Sequence, residues 1–373
     1  MSNHHMLIRN LLITPFSVEK WTLEEWDLLI QQGYATGLLA RIYATLVDKK
    51  LEYLIPKEVL WHLTSAYQLY EAHMLDVKSE ISHITHTLAL GNIKPIFLKG
   101  AAYVLADDSC HVGRLFADID IFVDKKNISV VEQLLHWHGW KGEDLDPHDE
   151  KYYREWMHEI PALTHSGRGM TLDVHHNLVP LTSKISLNTD SLLERANNVT
   201  TQGELVLSAE DRILHSAMHL LLDGEFDKGF RDLGDLDALL RNYSEENEEF
   251  WNILIERADC LGVGRILYYC LTQCSRIYFT PIPKKVVKKV SIYKPTKIID
   301  LIINACFYNV LLPDHKSCRK KYYSLASTIL YYRSHWLKMP LHILVPHLLY
   351  KALITPLKEW NKQKEAAKDN VTG

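Results

Sequence analysis

No two cysteines stand at C-x-x-C spacing in this 373-residue chain. The six present are scattered singly, at Cys110, Cys260, Cys270, Cys274, Cys306 and Cys318. That pattern excludes a zinc ribbon and argues against a disulfide framework, so reduced thiols in a cytoplasmic protein are expected. No run of ~18 apolar residues exists, so no membrane span is expected. The opening stretch MSNHHMLIRNLLITPF has no long apolar core, and no signal peptide is expected there. No repeat or low-complexity array points to a scaffold. His215 and His219 stand four apart, a ligand spacing on a helix, but no H-E-x-x-H accompanies them, and packing is the expected role.

Hydrophobic content of 47% and charged content of 24% are those of an ordinary globular protein able to bury a full core. The net charge of −4 does not by itself point to nucleic acid. Its distribution is uneven: Pro281 to Trp360 carries twelve Lys and two Arg against only Asp300, Asp314 and Glu359. Tyr322, Tyr323, Tyr331, Tyr332, His335 and Trp336 are interleaved with these cations. The residues fit an RNA-backbone surface, an anionic membrane surface or a solvated helical face. The third is favoured, because Val286, Val287, Ile298, Ile299, Leu301 and Ile302 supply apolar surface for ordinary packing.

Capping signals place helices at both ends of the chain. Thr22 with Glu25 reads as a capping box, and Pro56 opens a helix that runs to about Leu90, ended by Gly91 in a left-handed cap. Ser208 with Asp211 caps another. Between them the pattern changes. A strand is expected over Ile93–Leu98, then a helix beginning at Ala101, a strand through Asp118-Ile119-Asp120, and an amphipathic helix over Asn127–Trp140. PALTH, Ser166-Gly167-Arg168-Gly169 and MTLDVHHNL then read as a hairpin. The last residues, NKQKEAAKDNVTG, read as a frayed tail.

The chemistry concentrates in Asp118-x-Asp120. Alternate strand residues share a face, so the two carboxylates point one way and Ile119 and Ile121 point into the core. Paired acids repel unless a divalent cation sits between them, and hard oxygen donors select Mg²⁺. A neighbouring strand would bring Asp173 to the same place. Three carboxylates around two cations suit in-line displacement at phosphorus. Asp173 and His175 share a strand face and adjacent His176 points away, so His175 is read either as lining the site, in support or as a substrate contact, or as a structural histidine. Lys99-Gly100-Ala101 reads as a turn whose amides cradle phosphates, with Lys99 as a charge partner. Arg114 offers a forked guanidinium for a triphosphate.

Taken in order, Gly100, Asp118-x-Asp120 and Asp173 resemble the DNA polymerase β-like nucleotidyltransferase superfamily. LKG, Arg114 and DIDIFV, then LDVHHNL, SAEDRILHSAMHLL and RDLGDLDALL, more closely resemble the bacterial group of uncharacterised nucleotidyltransferases. The resemblance covers roughly Lys94 to Pro283. It departs from the superfamily in having Gly100-Ala101 for the usual Gly-Gly or Gly-Ser, and in a longer gap to Asp118. The resemblance implies that the helix carrying Arg231 and Asp235 packs on the nucleotide cleft. An Arg231–Asp235 surface ion pair is the plainer alternative.

The expected fold is therefore α+β, a small mixed-sheet core flanked by helical regions. Residues 1–90 form an N-terminal helical region, 91–180 the αβ core, 181–280 a helical domain and 281–373 a basic helical region. The expected function is transfer of a nucleoside monophosphate from an NTP, ATP among them, to a hydroxyl acceptor with release of pyrophosphate. Asp118, Asp120 and Asp173 would hold two Mg²⁺ ions. Lys99, Gly100, Ala101 and Arg114 would bind the nucleotide, with His175, Arg231 and Asp235 in support. The acceptor is left open among small molecules, peptides and RNA. A toxin-like enzyme acting on transfer RNA and a nucleotide-binding protein without turnover are the alternatives.

Overall fold

The computed structural model describes residues 6–142, 150–200 and 203–350. Helices begin where the sequence caps them. Helix α1 (Leu7–Ile13) leads to α2 (Leu23–Thr36), where the Thr22 hydroxyl accepts from the Glu25 amide and the Glu25 carboxylate accepts from the Thr22 amide. Helix α3 (Leu39–Asp48) packs on α4 (Lys57–Ala89), which Pro56 opens. The left-handed residue after α4 is Asn92, with φ 55°, and not Gly91. Asn tolerates that conformation, and Gly91 is instead pressed against Leu134.

Among the described residues, seven strands form one mixed sheet in the order β3-β4-β5-β2-β1-β7-β6. They are β1 (Ile96–Phe97), β2 (Asp118–Phe122), β3 (Trp140–Gly142), β4 (Leu163–His165), β5 (Thr171–His175), β6 (Asn197–Asn198) and β7 (Leu205–Val206). The expected hairpin is present, with β4 and β5 antiparallel and Leu163 opposite Leu172. Two strands arise outside the expected 91–180 core: β7 runs parallel to β1 and β6 pairs with β7. Each is only two residues long, Asn197–Asn198 and Leu205–Val206, and carries no alternation to read. Helix α5 (Lys99–Leu105) starts at Lys99 rather than Ala101, and α6 spans Ile128–Trp137. Gly139 turns the chain with φ 90°, and Trp140 opens β3 instead of closing the helix.

Each sheet face has its own apolar core. Val77, Ile81, Ile84 and Leu88 of α4 meet Ile119, Ile121, Leu172 and Val174 on one face, with Val131 and Leu135 of α6. On the other, Ile96, Leu98 and Phe122 join a larger core shared by the N-terminal helices and the later ones. These later helices are α7 (Asp190–Leu193), α8 (Ala209–Leu222), α9 (Gly229–Glu246), α10 (Phe250–Cys260), α11 (Gly264–Ile277), α12 (Lys284–Val290), α13 (Lys297–Val310), α14 (Tyr323–Lys338) and α15 (Leu341–Leu349). The N-terminal and C-terminal regions thus share a core.

Packing expected of the basic region is met by Val286, while Val287, Ile298, Ile299, Leu301 and Ile302 face solvent. Helix α13 packs through Ile303, Cys306, Phe307 and Val310 instead. The sequence shows two apolar stripes on α13, and the one buried is the more C-terminal. Among the described residues, no helix is long and apolar enough to cross a membrane. The expected tail, 361–373, lies outside the described residues.

Buried ion pairs tie the helices together. Arg212 donates to Asp108 at 3.0 and 3.2 Å, and Arg257 donates to Asp211 at 2.6 and 3.0 Å. Asp211 is 1% exposed, so removing its partner strands a charge away from water. Arg257→Met should therefore lower unfolding free energy by about 3–5 kcal/mol. Urea denaturation measures this, and a loss under about 1 kcal/mol, the worth of a surface pair, would contradict the buried-pair assignment.

Candidate active site

Parallel pairing of β2 with β5 sets the site. The register places Asp118 opposite Thr171, Asp120 opposite Asp173 and Phe122 opposite His175. Paired residues share a face. Asp118, Asp120, Asp173 and His175 therefore project together, while Ile119, Ile121, Leu172 and Val174 fill the opposite core with no exposed surface. Carboxylate oxygens of Asp118, Asp120 and Asp173 lie within 4.8 Å of one another.

Lys99 supplies the nearest positive charge. Its Nζ lies 2.6 Å from Asp120 Oδ1, and His175 Nε2 lies 3.0 Å from the same oxygen. Lys99 itself has φ 43°, a left-handed conformation costly for a residue with a Cβ, by ~1–3 kcal/mol. Burial alone would raise the Asp120 pKa, but Lys99 and the His175 hydrogen bond outweigh it and hold the carboxyl well below its usual range. Burial likewise disfavours charge on Lys99, and Asp120 more than offsets it. Asp173 has no such partner. Burial, then the charges of Asp120 and Glu159, push its carboxyl up to about 7. Burial and Asp120 also raise Asp118. All-oxygen donors at this spacing, two of them short of positive charge, suit a hard divalent cation.

A cavity of about 620 Å³ opens beside the carboxylates. Asp118, Asp120, Lys99, Gly100 and Arg114 line it, with Tyr103, Phe116, Ser216, His219, Lys228 and Arg231. Bulk at Gly100 is excluded by the Phe116 ring, because a Cβ there would lie 2.8 Å from it. Ala101 is 1% exposed and packs in the α4 core, away from the cavity lining. Arg114 reaches the cavity wall with its guanidinium already committed. It pairs with Asp232 at 3.1 Å and with Asp235, and those acids raise its pKa against the effect of burial.

The Arg231–Asp235 pair is absent. Asp235 is taken by Arg114 and by Arg41 at 2.8 Å, whereas Arg231 binds Asp232 and donates to the Leu115 carbonyl at 3.3 Å. Both residues brace the loop before β2. His215 is buried, whereas His219 is exposed on the cavity wall. Burial, then Lys99, keeps His215 well below the imidazole range; for His219 the positive charge of Lys99 is the leading cause and lowers it to about 4. Neither joins a metal-competent group among the described residues, nor does His176.

Residues 22–279 match the model of the family described as Uncharacterised nucleotidyltransferase, and the chain belongs to that family. The match takes in α2 to α4, which the motif resemblance did not reach. Among solved structures, the chain aligns with an antigenic nucleotidyltransferase-like protein from Paracoccidioides brasiliensis. The two are 16% identical over 57% of this chain and 95% of that one, with a TM-score of 0.30, too loose to carry an argument. No curated protein matches the chain.

Asp232, Lys228 and Glu159 went unnoticed in the sequence. Asp232 sits in the same RDLGDL run as Arg231 and Asp235, and its neighbourhood was the available signal. Glu159 had none, since only the fold brings it to His175. With Lys99 as the built-in counter-charge, Lys99→Met should lower the melting temperature in chelator. Mg²⁺ or Mn²⁺ should then raise it by more than in the parent protein. Equal cation-induced shifts in the two proteins would contradict that role.

Proposed function

We propose that the chain transfers a nucleoside monophosphate from an NTP, ATP among the candidates, to a hydroxyl acceptor and releases pyrophosphate. Convergence of Asp118, Asp120 and Asp173, the first two lining a nucleotide-sized cavity, carries this reading. Membership in the nucleotidyltransferase family supports it. Asp118 and Asp120 would hold both of two Mg²⁺ ions and Asp173 one of them. Such ions, when bound, activate the attacking oxygen and stabilise the leaving group in a polymerase β-like displacement.

The chain's own residues do the rest. Lys99, 2.6 Å from Asp120 in this structure, would be free to turn toward phosphate once that carboxylate held a cation. Lys228, exposed on the cavity wall and without an ion-pair partner among the described residues, and Arg231 meet the triphosphate's negative charge. Arg114 holds α9 against the loop before β2 and so keeps Asp118 in line. The Gly100 and Ala101 amides remain candidate phosphate donors. Asp173 takes the proton of the acceptor hydroxyl at its carboxylate. Phe116, half-buried on the cavity wall, presents aromatic surface to a base.

Lys99 seated on Asp120 supports a second possibility, a nucleotide-binding protein without turnover. One experiment separates them. NTPs labelled at the α-phosphate are incubated with the protein, Mg²⁺ and cell extract, and both labelled products and pyrophosphate are followed. Transfer of label with pyrophosphate release, abolished in Asp118→Asn/Asp120→Asn, is the expected result. Nucleotide binding with no labelled product for any NTP would favour the silent binder. Lys228→Met should weaken NTP binding roughly tenfold, the equivalent of ~1.4 kcal/mol, and leave cation affinity unchanged. Isothermal titration of each ligand checks this.

A further inference from the structure

A second set of donors lies beside the carboxylates and takes no part in the chemistry above. His158 and Glu159 precede Ile160 on a segment that runs along β5. Glu159 pairs antiparallel with His175, and the Ile160 amide donates to the Val174 carbonyl at 3.0 Å. The His158 carbonyl accepts from the amides of His176 at 2.8 Å and Asn177 at 3.1 Å. Backbone pairing thus fixes His158, Glu159 and His175 relative to one another, and one ligand atom from each lies within 4.8 Å of the others.

The imidazole chemistry is specific. His175 has a side chain 3% exposed and Nε2 3.0 Å from Asp120 Oδ1. A carboxylate oxygen accepts, so Nε2 carries the hydrogen and Nδ1 presents a lone pair. That Nδ1 is buried, lies 3.2 Å from Glu159 Oε2 and makes no hydrogen bond. Two acceptors at that separation repel unless a cation lies between them. His158 Nε2 is 3.7 Å from the same Glu159 oxygen, and His158 Nδ1 is also buried without a partner. Burial, then His175 and Lys99, hold His158 well below the usual imidazole range, in the neutral form that binds metals.

We propose that His158, Glu159 and His175 form a site for one zinc-class transition cation, separate from the three aspartates. A tetrahedral ion with bonds of ~2.0–2.1 Å needs donors about 3.3 Å apart, and the spacings of 3.2 and 3.7 Å around Glu159 lie close to that. Two imidazoles and a carboxylate favour zinc over magnesium, whereas the aspartates favour the reverse. Side chains of His158 and Glu159 are 18% and 23% exposed, so solvent reaches the remaining coordination position. The Asp120–His175 hydrogen bond is the support that a ligating imidazole receives from a carboxylate. It also joins the two sites: a cation on Nδ1 strengthens donation from Nε2–H and steadies Asp120. A proton on Nδ1 is the rival occupant, and it leaves His158 without a role.

The test uses the full chain stripped with chelator, with Co²⁺ as a visible-absorbing probe in a large excess of Mg²⁺. One Co²⁺ per chain, giving a low-symmetry visible band that Zn²⁺ erases, is expected. Glu159→Gln and His158→Gln should each weaken Co²⁺ binding by roughly tenfold or more, at least the loss caused by removing an outer hydrogen-bonding partner. Asp118→Asn should keep the band. Glu159 is partly exposed, so its variant retains the fold, and melting temperatures in chelator verify both variants. Absence of the band in Mg²⁺ would overturn the proposal. So would a band that survives Glu159→Gln and His158→Gln but is lost in Asp118→Asn. The readout is independent of nucleotide turnover, so a silent binder leaves it standing.

Discussion

Strands β2 and β5 run parallel with Asp120 opposite Asp173, and three carboxylates meet on that seam. Folding them there is unfavourable, because burial strips their water and their charges repel. Lys99 Nζ and His175 Nε2 both converge on Asp120 and offset part of that cost. Much of the surrounding structure serves this arrangement. The chain enters α5 through a left-handed Lys99. Arg168 clamps the β4–β5 turn to Glu80 of α4 with two bonds of 2.6 Å. Asp232 and Asp235 of α9 hold Arg114 beside the loop that leads into β2.

The site was legible where alternation carried it. Asp118-Ile119-Asp120 and Leu172-Asp173-Val174 each show acids between apolar residues, and a shared sheet face follows from period two. The capping signals at Thr22, Pro56 and Ser208 were equally local, and all three mark helix starts in the structure. Long-range pairings were not legible. Nothing in the RDLGDL run says that Asp235 faces Arg41 and Arg114 rather than Arg231, because that choice depends on how α9 rotates against α3 and the β2 loop. The solvent-facing stripe of α13 was misread for a related reason: two apolar stripes compete, and only tertiary contacts select the buried one. The short strands β7 and β6 exist through pairing, β7 with β1 and β6 with β7, not through their own pattern.

Oxygen donors and nitrogen donors stand side by side on this sheet, and one hydrogen bond connects them. The aspartates would form a hard site, with Asp118 and Asp120 lining the cavity. His158, Glu159 and His175 would form a softer one beside it, with Asp120 accepting from the His175 imidazole. On the proposals above, the chain would separate the cation of the transfer reaction from one that steadies its ligand. This separation explains why His175 and His176, adjacent in sequence, have different surroundings: only His175 shares the aspartates' face.

The central claim is that Asp118, Asp120 and Asp173 bind divalent cations beside a triphosphate. A crystal structure with Mn²⁺ and a non-hydrolysable NTP analogue, measured at the manganese edge, tests it most directly. The account predicts anomalous density among the three carboxylates, with the triphosphate in the adjoining cavity and Lys99 withdrawn from Asp120. Anomalous density elsewhere, with Lys99 still seated on Asp120 and the nucleotide away from the aspartates, would contradict it.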